Sequence, residues 1–156
     1  WFELIPNSWR LLIAGPVNKN YQTELMHKYP NDSVEFLGEL NHSTSMQYLA
    51  QSDIFTLPSY TEGFPNVILE AMALGKPIIA TSVGAIPDML SNHCGIVIEP
   101  KDVEGLKKAI FTLSQNEQLR YQLGQRAYQK AKHEYSLDVI FGKYRDAWQI
   151  AIKKPP

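Results

Sequence analysis

Short apolar runs alternate with longer amphipathic stretches along this chain, and that alternation predicts βαβ units built around a parallel sheet. Leu11, Leu12, Ile13 and Ala14 read as a first buried strand ended by Gly15-Pro16. Residues 21–29 read as a helix closed by Pro30, and 34–37 as a second strand followed by Gly38. Ser43 or Thr44 is placed to cap a short helix running to Gln51. A third strand is expected over 53–57, a helix over 67–74 stopped by Gly75, and a fourth strand over 78–81. A short helical turn at 86–90 leads to a last strand at 96–98, ended by Pro100. The remainder is helical: 103–114, a segment from Glu117, and a final helix capped by Ser136. That helix carries Leu137, Ile140, Phe141, Tyr144 and Trp148 on one stripe, read as core. The fold expected is α/β, a Rossmann-like doubly wound parallel sheet with a helical C-terminal segment. The strand ends at Gly15, Gly38, Pro58 and Ser82 should then share one edge, where ligands of such sheets bind.

One charged side chain interrupts the apolar run 67–74, and it stands out for that reason. Glu70 falls among Ile68, Leu69, Ala71 and Met72. A helix apolar all round is normally buried, and burying a carboxylate is costly unless something hydrogen-bonds to it. A second acid, Glu62, precedes the helix in the stretch Glu62-Gly63-Phe64-Pro65-Asn66. Gly63 permits close backbone approach, Pro65 suits the first helical turn, and Asn66 or Phe64 occupies the cap position. The amide groups that open the helix, with the positive end of its dipole, form an anion site. A phosphate at the helix end with hydroxyls on either side would meet all three elements, and a nucleotide diphosphate sugar has that layout. Taken singly, a loop glutamate is ordinarily solvated and a glutamate near a helix start compensates the dipole; the combination is what points to a ligand.

Composition narrows the classes of function. The chain has 156 residues, enough for one domain with a real core. Hydrophobic residues make up 44% and charged residues 20%, ordinary for a globular protein. A formal net charge of -1 gives no electrostatic footprint for nucleic acid. The single Cys94 excludes an internal disulfide framework, suits a reducing compartment and reads as a small buried residue. His27, His42, His93 and His133 show no metal-ligand spacing. The opening Trp1-Phe2-Glu3-Leu4-Ile5 resembles the end of a helix, with Pro6-Asn7-Ser8 as breaker, so a piece of a longer protein is expected.

With these residues in place, the chain resembles the C-terminal, donor-binding domain of GT-B glycosyltransferases, specifically the retaining glycosyltransferase family 4. The resemblance runs over nearly the whole chain. It is carried by Glu62-Gly63-Phe64-Pro65-Asn66 with Glu70-Ala71-Met72-Ala73, by Gly75-Lys76-Pro77-Ile78-Ile79-Ala80, and by Leu12 to Gly15, Val34 to Gly38 and Gly95 through Asp102. It implies one half of a GT-B fold: residues 1–156 would be a nucleotide-sugar-binding domain truncated on its N-terminal side, with the acceptor domain absent. It implies that Glu62 is catalytic, contacting hydroxyls of the transferred sugar near the anomeric carbon. Gly63, Phe64 and Pro65 would line the sugar, the Asn66 and Val67 amides would face the pyrophosphate, and Glu70 would accept hydrogen bonds from the ribose. Gly38, Glu39 and Leu40 would flank the base through the main chain, and Gly15 would leave room for the nucleotide. No metal and no cofactor are implied, only a nucleotide-diphosphate sugar as donor. Through the missing domain the implied partner is an acceptor glycan or lipid-linked sugar. The implied location is cytoplasmic, at the inner face of the membrane if Lys153-Lys154 touch anionic lipid.

Two departures stand against the pattern. Gly84-Ala85-Ile86-Pro87-Asp88 replaces the Gly-Gly pair that the family often carries before its Pro-Glu element. The family's basic residues for the diphosphate lie upstream of this sequence, with Lys19 as a candidate substitute. A leaving diphosphate needs charge stabilisation, so the chain alone is expected to bind donor weakly and to lack transfer activity. The competing reading is a non-catalytic α/β nucleotide-binding or receiver-like regulatory module, suggested by Lys76-Pro77-Ile78-Ile79; it requires an aspartate at the carboxyl end of the central strand. Ser59 and Tyr60 are expected to shape the loop before Glu62, and Lys76 to be a solvated turn residue.

Overall fold

The parallel pairing expected from the apolar runs is present, in two separate pieces. The computed structural model describes residues 9–30 and 32–153; the expectations for residues 1–8 and for Lys154 lie outside them. The chain divides into two units, Trp1–Gln51 and Ser52–Pro156.

The first unit runs β1 (Leu11–Ala14), α1 (Lys19–Lys28), β2 (Val34–Gly38) and α2 (His42–Gln51). β1 and β2 pair in parallel, Leu11 opposite Val34 and Ile13 opposite Phe36, before the register slips to set Ala14 opposite Gly38. Asn18 caps α1, its Oδ1 accepting from the amides of Asn20 and Tyr21 at 2.9 and 3.3 Å. α2 starts earlier than expected, because Asn41 takes the cap in place of Ser43 or Thr44: its Oδ1 accepts from the Thr44 amide at 2.9 Å. The reading of β1 as a buried strand is also corrected. Its residues alternate between half-buried and exposed, as a two-stranded sheet with one covered face requires.

In the second unit β3 (Phe55–Leu57), β4 (Ile78–Thr81) and β5 (Ile96–Ile98) form a parallel sheet in the order β3-β4-β5. β3 begins at Phe55, two residues later than expected; its amide donates to Pro77 O at 3.0 Å, and Pro77 has no amide with which to extend the ladder backwards. β4 lies in the middle and all four of its residues are buried. That is why its sequence reads as one continuous apolar run instead of alternating. The helices are α3 (Asn66–Ala73), α4 (Ile86–Met89), α5 (Val103–Gln115), α6 (Glu117–Glu134) and α7 (Leu137–Lys153). Asp102 caps α5 through the Gly105 amide at 2.8 Å, and Asn116 caps α6 through the Leu119 amide at 2.9 Å. Ile79, Ala109, Leu113 and Leu123 form a core cluster with Ile96, Ile98, Leu106 and Ile110 packed on it.

α3 stops where the sequence says it should. Gly75 takes a left-handed φ of 64°; its amide donates to Met72 O and the Lys76 amide to Ala71 O, both at 2.9 Å. These are the two bonds of a Schellman ending. Lys76 is not a solvated turn residue, since its Nζ donates to Ser52 O at 2.8 Å. The stripe on α7 is a larger correction: Phe141 is 67% and Trp148 70% exposed. α3 and α5 already meet β4, and α6 packs against both α3 and α5, so the core positions this stripe was expected to fill are occupied.

Candidate active site at the end of the central strands

The loop that leaves the carboxyl end of β3 is held from two directions. From inside, the Thr81 hydroxyl donates to Ser59 O at 2.6 Å, and Ser59 Oγ donates to Glu62 Oε1 at 2.7 Å. From the far side, the Ala85 amide donates to Gly63 O at 2.9 Å. The preceding Gly84, with φ of 55°, lies so close that a Cβ there would be 2.3 Å from Glu62 O. Only a residue without a side chain, at ease with positive φ, fits both demands. Tyr60 and Lys101 shape the outer side of the loop, the ammonium 5.9 Å from the ring centroid.

α3 follows at once, and its start differs from expectation by one position. Pro65 is the N-cap, with φ of −75° and ψ of 110°, so neither Asn66 nor Phe64 has that role. Proline offers no side-chain acceptor, and the helix start has no side-chain cap. The Asn66 and Val67 amides therefore emerge at the positive end of the dipole without a capping side chain. Phe64 is half exposed, its ring 6.1 Å from that of Tyr135. Glu70, read as buried, is half-buried. α3 turns Ile68, Ala71 and Met72 inward while Ala73 and Leu74 are exposed, so the helix is not apolar-buried on every side.

The structure brings Glu62, Gly63, Phe64, Pro65, Asn66, Val67 and Glu70 onto one continuous loop and helix. Gly15, Gly38, Glu39 and Leu40 belong to the first unit, at the carboxyl ends of β1 and β2. There the Gly15 amide donates to Gly38 O at 2.8 Å, and the space a Cβ would take at either glycine is open to 4 Å. Lys19 is the exposed first residue of α1. The receiver-like alternative fails on geometry: β4 ends in Thr81, followed by Ser82, and Asp53 lies ahead of β3. Among the described residues no three His, Cys, Asp or Glu side chains are grouped to hold a metal ion. No described helix is long and apolar enough to cross a membrane.

Sequence reasoning passed over Thr81 and Lys130, and met Gly84 only as part of a departure from the family pattern. Thr81 and Gly84 act on Glu62 through contacts distant in sequence, and the one available signal was a hydroxyl ending an otherwise apolar strand. Lys130, on α6, is buried and donates from Nζ to Asp88 O at 2.7 Å and to Ser91 Oγ, with Glu134 at 3.6 Å. It ties α6 to the end of α4, the short helix that follows the Gly84-Ala85 clamp. Burial pushes the Cys94 thiol above its ordinary value, against the opposing charge of Lys130, and burial likewise raises Tyr135.

The parallel sheet β3-β4-β5 is thus followed by an acidic loop, whose carboxylate offers acceptors, and by a helix start whose amide donors have no side-chain cap. The family profile described as "Glycosyl transferases group 1" matches residues 2–130, and the chain belongs to that family. N-acetyl-alpha-D-glucosaminyl L-malate synthase of Bacillus anthracis is 34% identical over 123 residues, covering 78% of this chain and 32% of that protein. N,N'-diacetylbacillosaminyl-diphospho-undecaprenol alpha-1,3-N-acetylgalactosaminyltransferase of Campylobacter jejuni is 29% identical over 151 residues, covering 96% of this chain and 39% of that protein. The chain thus spans well under half the length of these curated relatives. Among solved structures, Anabaena HepE in complex with UDP-glucose superposes with a TM-score of 0.79 at 22% identity, over 92% of this chain and 42% of that one. The C-terminal domain of a group 1 family protein, LpcC, from Francisella tularensis gives 0.72 at 22% identity, over 85% of this chain and 89% of that one. At that identity the likeness establishes the fold, which is that of GT-B glycosyltransferases.

Proposed function

We propose that this chain is the donor-binding part of a family 4 glycosyltransferase, a retaining hexosyltransferase that moves a sugar from a nucleotide-diphosphate sugar to a glycan or lipid-linked acceptor. The observation that supports it best is Glu62, held in place directly before a helix whose first amides have no side-chain cap. As the bond between the anomeric carbon and the diphosphate oxygen breaks, negative charge grows on the diphosphate and positive charge on the sugar. The Asn66 and Val67 amides and the dipole of α3 favour the first. The Glu62 carboxylate accepts from sugar hydroxyls and favours the second. Gly63, Phe64 and Pro65 line the sugar, and Glu70, about one turn into the helix, accepts from the ribose. On the first unit, Gly15 leaves room for the nucleotide while Gly38, Glu39 and Leu40 offer main-chain groups to the base.

On this reading the 156-residue chain supplies the donor site alone, binds donor weakly and does not catalyse transfer by itself, needing no metal or cofactor. The parent works in the cytoplasm at the membrane face where lipid-linked acceptors are found. The test is a panel of nucleotide sugars assayed for transfer and donor hydrolysis with the full-length enzyme. Glu62→Ala should lower turnover by about a hundredfold or more, the scale of losing a transition-state charge stabiliser. Glu70→Ala should weaken nucleotide binding by about tenfold, as for a hydrogen bond to an ionised group. Unchanged turnover in the first variant, or unchanged donor affinity in the second, refutes the role assigned to that residue.

A further inference from the structure

We infer that Ser59 and Thr81 are positioning residues for Glu62, forming a hydroxyl chain that fixes its carboxylate from within the sheet. The inference rests on the reading of Glu62 as the sugar-contacting acid. A glutamate in a connecting loop ordinarily samples many rotamers, and ordering it has an entropic cost. Glu62 is ordered by one contact, the 2.7 Å bond from Ser59 Oγ to its Oε1. A serine hydroxyl has a single proton to donate, so this one is committed to the carboxylate. Among the described residues no group donates to Oε2, which leaves that oxygen for the hydroxyls of a ligand.

Ser59 is itself fixed. Its carbonyl accepts the Thr81 hydroxyl at 2.6 Å, and Thr81 is 2% exposed at the end of the central strand. The other three residues of that strand are Ile78, Ile79 and Ala80. Valine would fill the same space there, and a buried hydroxyl is costly unless it is bonded. A threonine at this position therefore has a polar task, and the bond to Ser59 O supplies one. The Ala85 amide bonded to Gly63 O at 2.9 Å holds the next residue's backbone from the opposite side. With the backbone clamped by one group and the carboxylate by another, Glu62 is held to the tolerance that a pre-organised site needs.

The readout is an affinity ratio, because a merely structural bond would not move it. The chain is titrated with UDP-glucose, UDP-N-acetylglucosamine and GDP-mannose, and with UDP and GDP, following backbone amide shifts. The ratio of sugar-nucleotide to nucleotide affinity isolates what the sugar-contacting acid contributes. Ser59→Ala should lower that ratio by about fivefold to tenfold, the size of a lost hydrogen bond to a charged group, with nucleotide affinity unchanged. Thr81→Val should lower it in the same direction, and Ser59→Thr, which keeps the hydroxyl, should restore it. Equal losses for sugar-nucleotide and nucleotide in Ser59→Ala mean a merely structural bond and overturn the inference. So does an unchanged ratio in Ser59→Ala while Glu62→Gln lowers it. If Glu62→Gln leaves the ratio unchanged, or no sugar-nucleotide binds, the underlying reading of Glu62 fails and the inference falls with it.

Discussion

Replacing Gly84 by alanine tests whether the acidic loop is clamped as tightly as its geometry implies. The added Cβ would stand 2.3 Å from Glu62 O and 2.5 Å from Gly63 O. An ordinary carbon–oxygen contact is about 3.3 Å or more, so the two loops must part by roughly 1 Å. Both oxygens are backbone, which leaves no flexible side chain to swing aside. Parting stretches the bond from the Ala85 amide to Gly63 O from 2.9 Å beyond hydrogen-bond range, losing about 1 kcal/mol. Overpacking adds about 1–3 kcal/mol, and holding alanine at a φ of 55° about 1 kcal/mol more. Gly75→Ala is the matched control. Its φ is 64°, but the nearest atoms to a Cβ are 3.7 and 3.9 Å away, so only the backbone contribution of about 1 kcal/mol applies. Urea unfolding followed by circular dichroism at the helix band reports on the second unit, which holds α3 to α7. Gly84→Ala should be less stable than Gly75→Ala by about 2 kcal/mol or more. Equal stabilities within about 0.5 kcal/mol, a typical margin for neutral changes, would show that the loops yield freely and that the clamp is not real.

Lys130→Met removes the ammonium that bonds Asp88 O and Ser91 Oγ while keeping the buried stem, and should lower stability by about 1–3 kcal/mol in the same urea assay; no loss would mean the ammonium is not needed there. Phe141→Ser and Trp148→Ser should each change the stability of this chain by about 0.5 kcal/mol or less, and a loss of several kcal/mol would restore the stripe to the core. Because burial raises the Cys94 thiol, folding favours its protonated form; that contribution is complete below the ordinary thiol value and is lost as pH rises from there through the raised value of the folded protein. Native Cys94 should accordingly react slowly with a disulfide reagent at mildly alkaline pH, and Cys94→Ala should reduce the alkaline fall in urea midpoint, leaving the part due to Tyr135. Pro65→Asp would place an acceptor and a negative charge on the first amides of α3, so affinity for UDP or GDP should fall about tenfold; unaltered affinity would remove the helix end as the diphosphate site.

What could be read from the sequence depended on whether the determinant was local. The central strand announced itself in Ile78, Ile79 and Ala80, since burial on both faces leaves no polar positions. The end of α3 was legible in Gly75, because the left-handed turn is a property of that residue. The start of α2 was not: Asn41, Ser43 and Thr44 all can cap, and only the bond actually made chooses among them. The start of β3 depended on Pro77, which lies in the strand beside it. For α7, helical spacing identified an apolar stripe but carries no information about what covers it. Glu70 drew notice as an acid inside an apolar run, but that run is not buried on every side and Glu70 is half-buried, so periodicity overstated the conflict. The supports of Glu62 were hidden, since Thr81 lies 22 residues from Ser59 and no pattern in the intervening chain links them.

The start of α3 is a choice that helix stability alone would not select. A helix gains about 1 kcal/mol from Ser, Thr, Asp or Asn at its N-cap, and α1, α5 and α6 each use such a residue, Asn18, Asp102 and Asn116. α3 has Pro65 and no side-chain cap. The four-residue α4, which follows Ala85, also lacks a side-chain cap; α3 is the longer of the two helices and begins directly behind Glu62. A capping carboxylate there would stabilise the helix and at once compete with any anion arriving at it. Sacrificing that stabilisation makes sense when the anion is a ligand. The neighbouring Gly84 and Thr81 are set by the same loop in another way: a Cβ at 84 would meet Glu62 O at 2.3 Å, and the buried Thr81 hydroxyl is bonded to Ser59 O. The missing cap at α3 and the clamped loop before it fall at one place in the second unit, and that coincidence is what the proposal for Glu62 and the Asn66 and Val67 amides draws on.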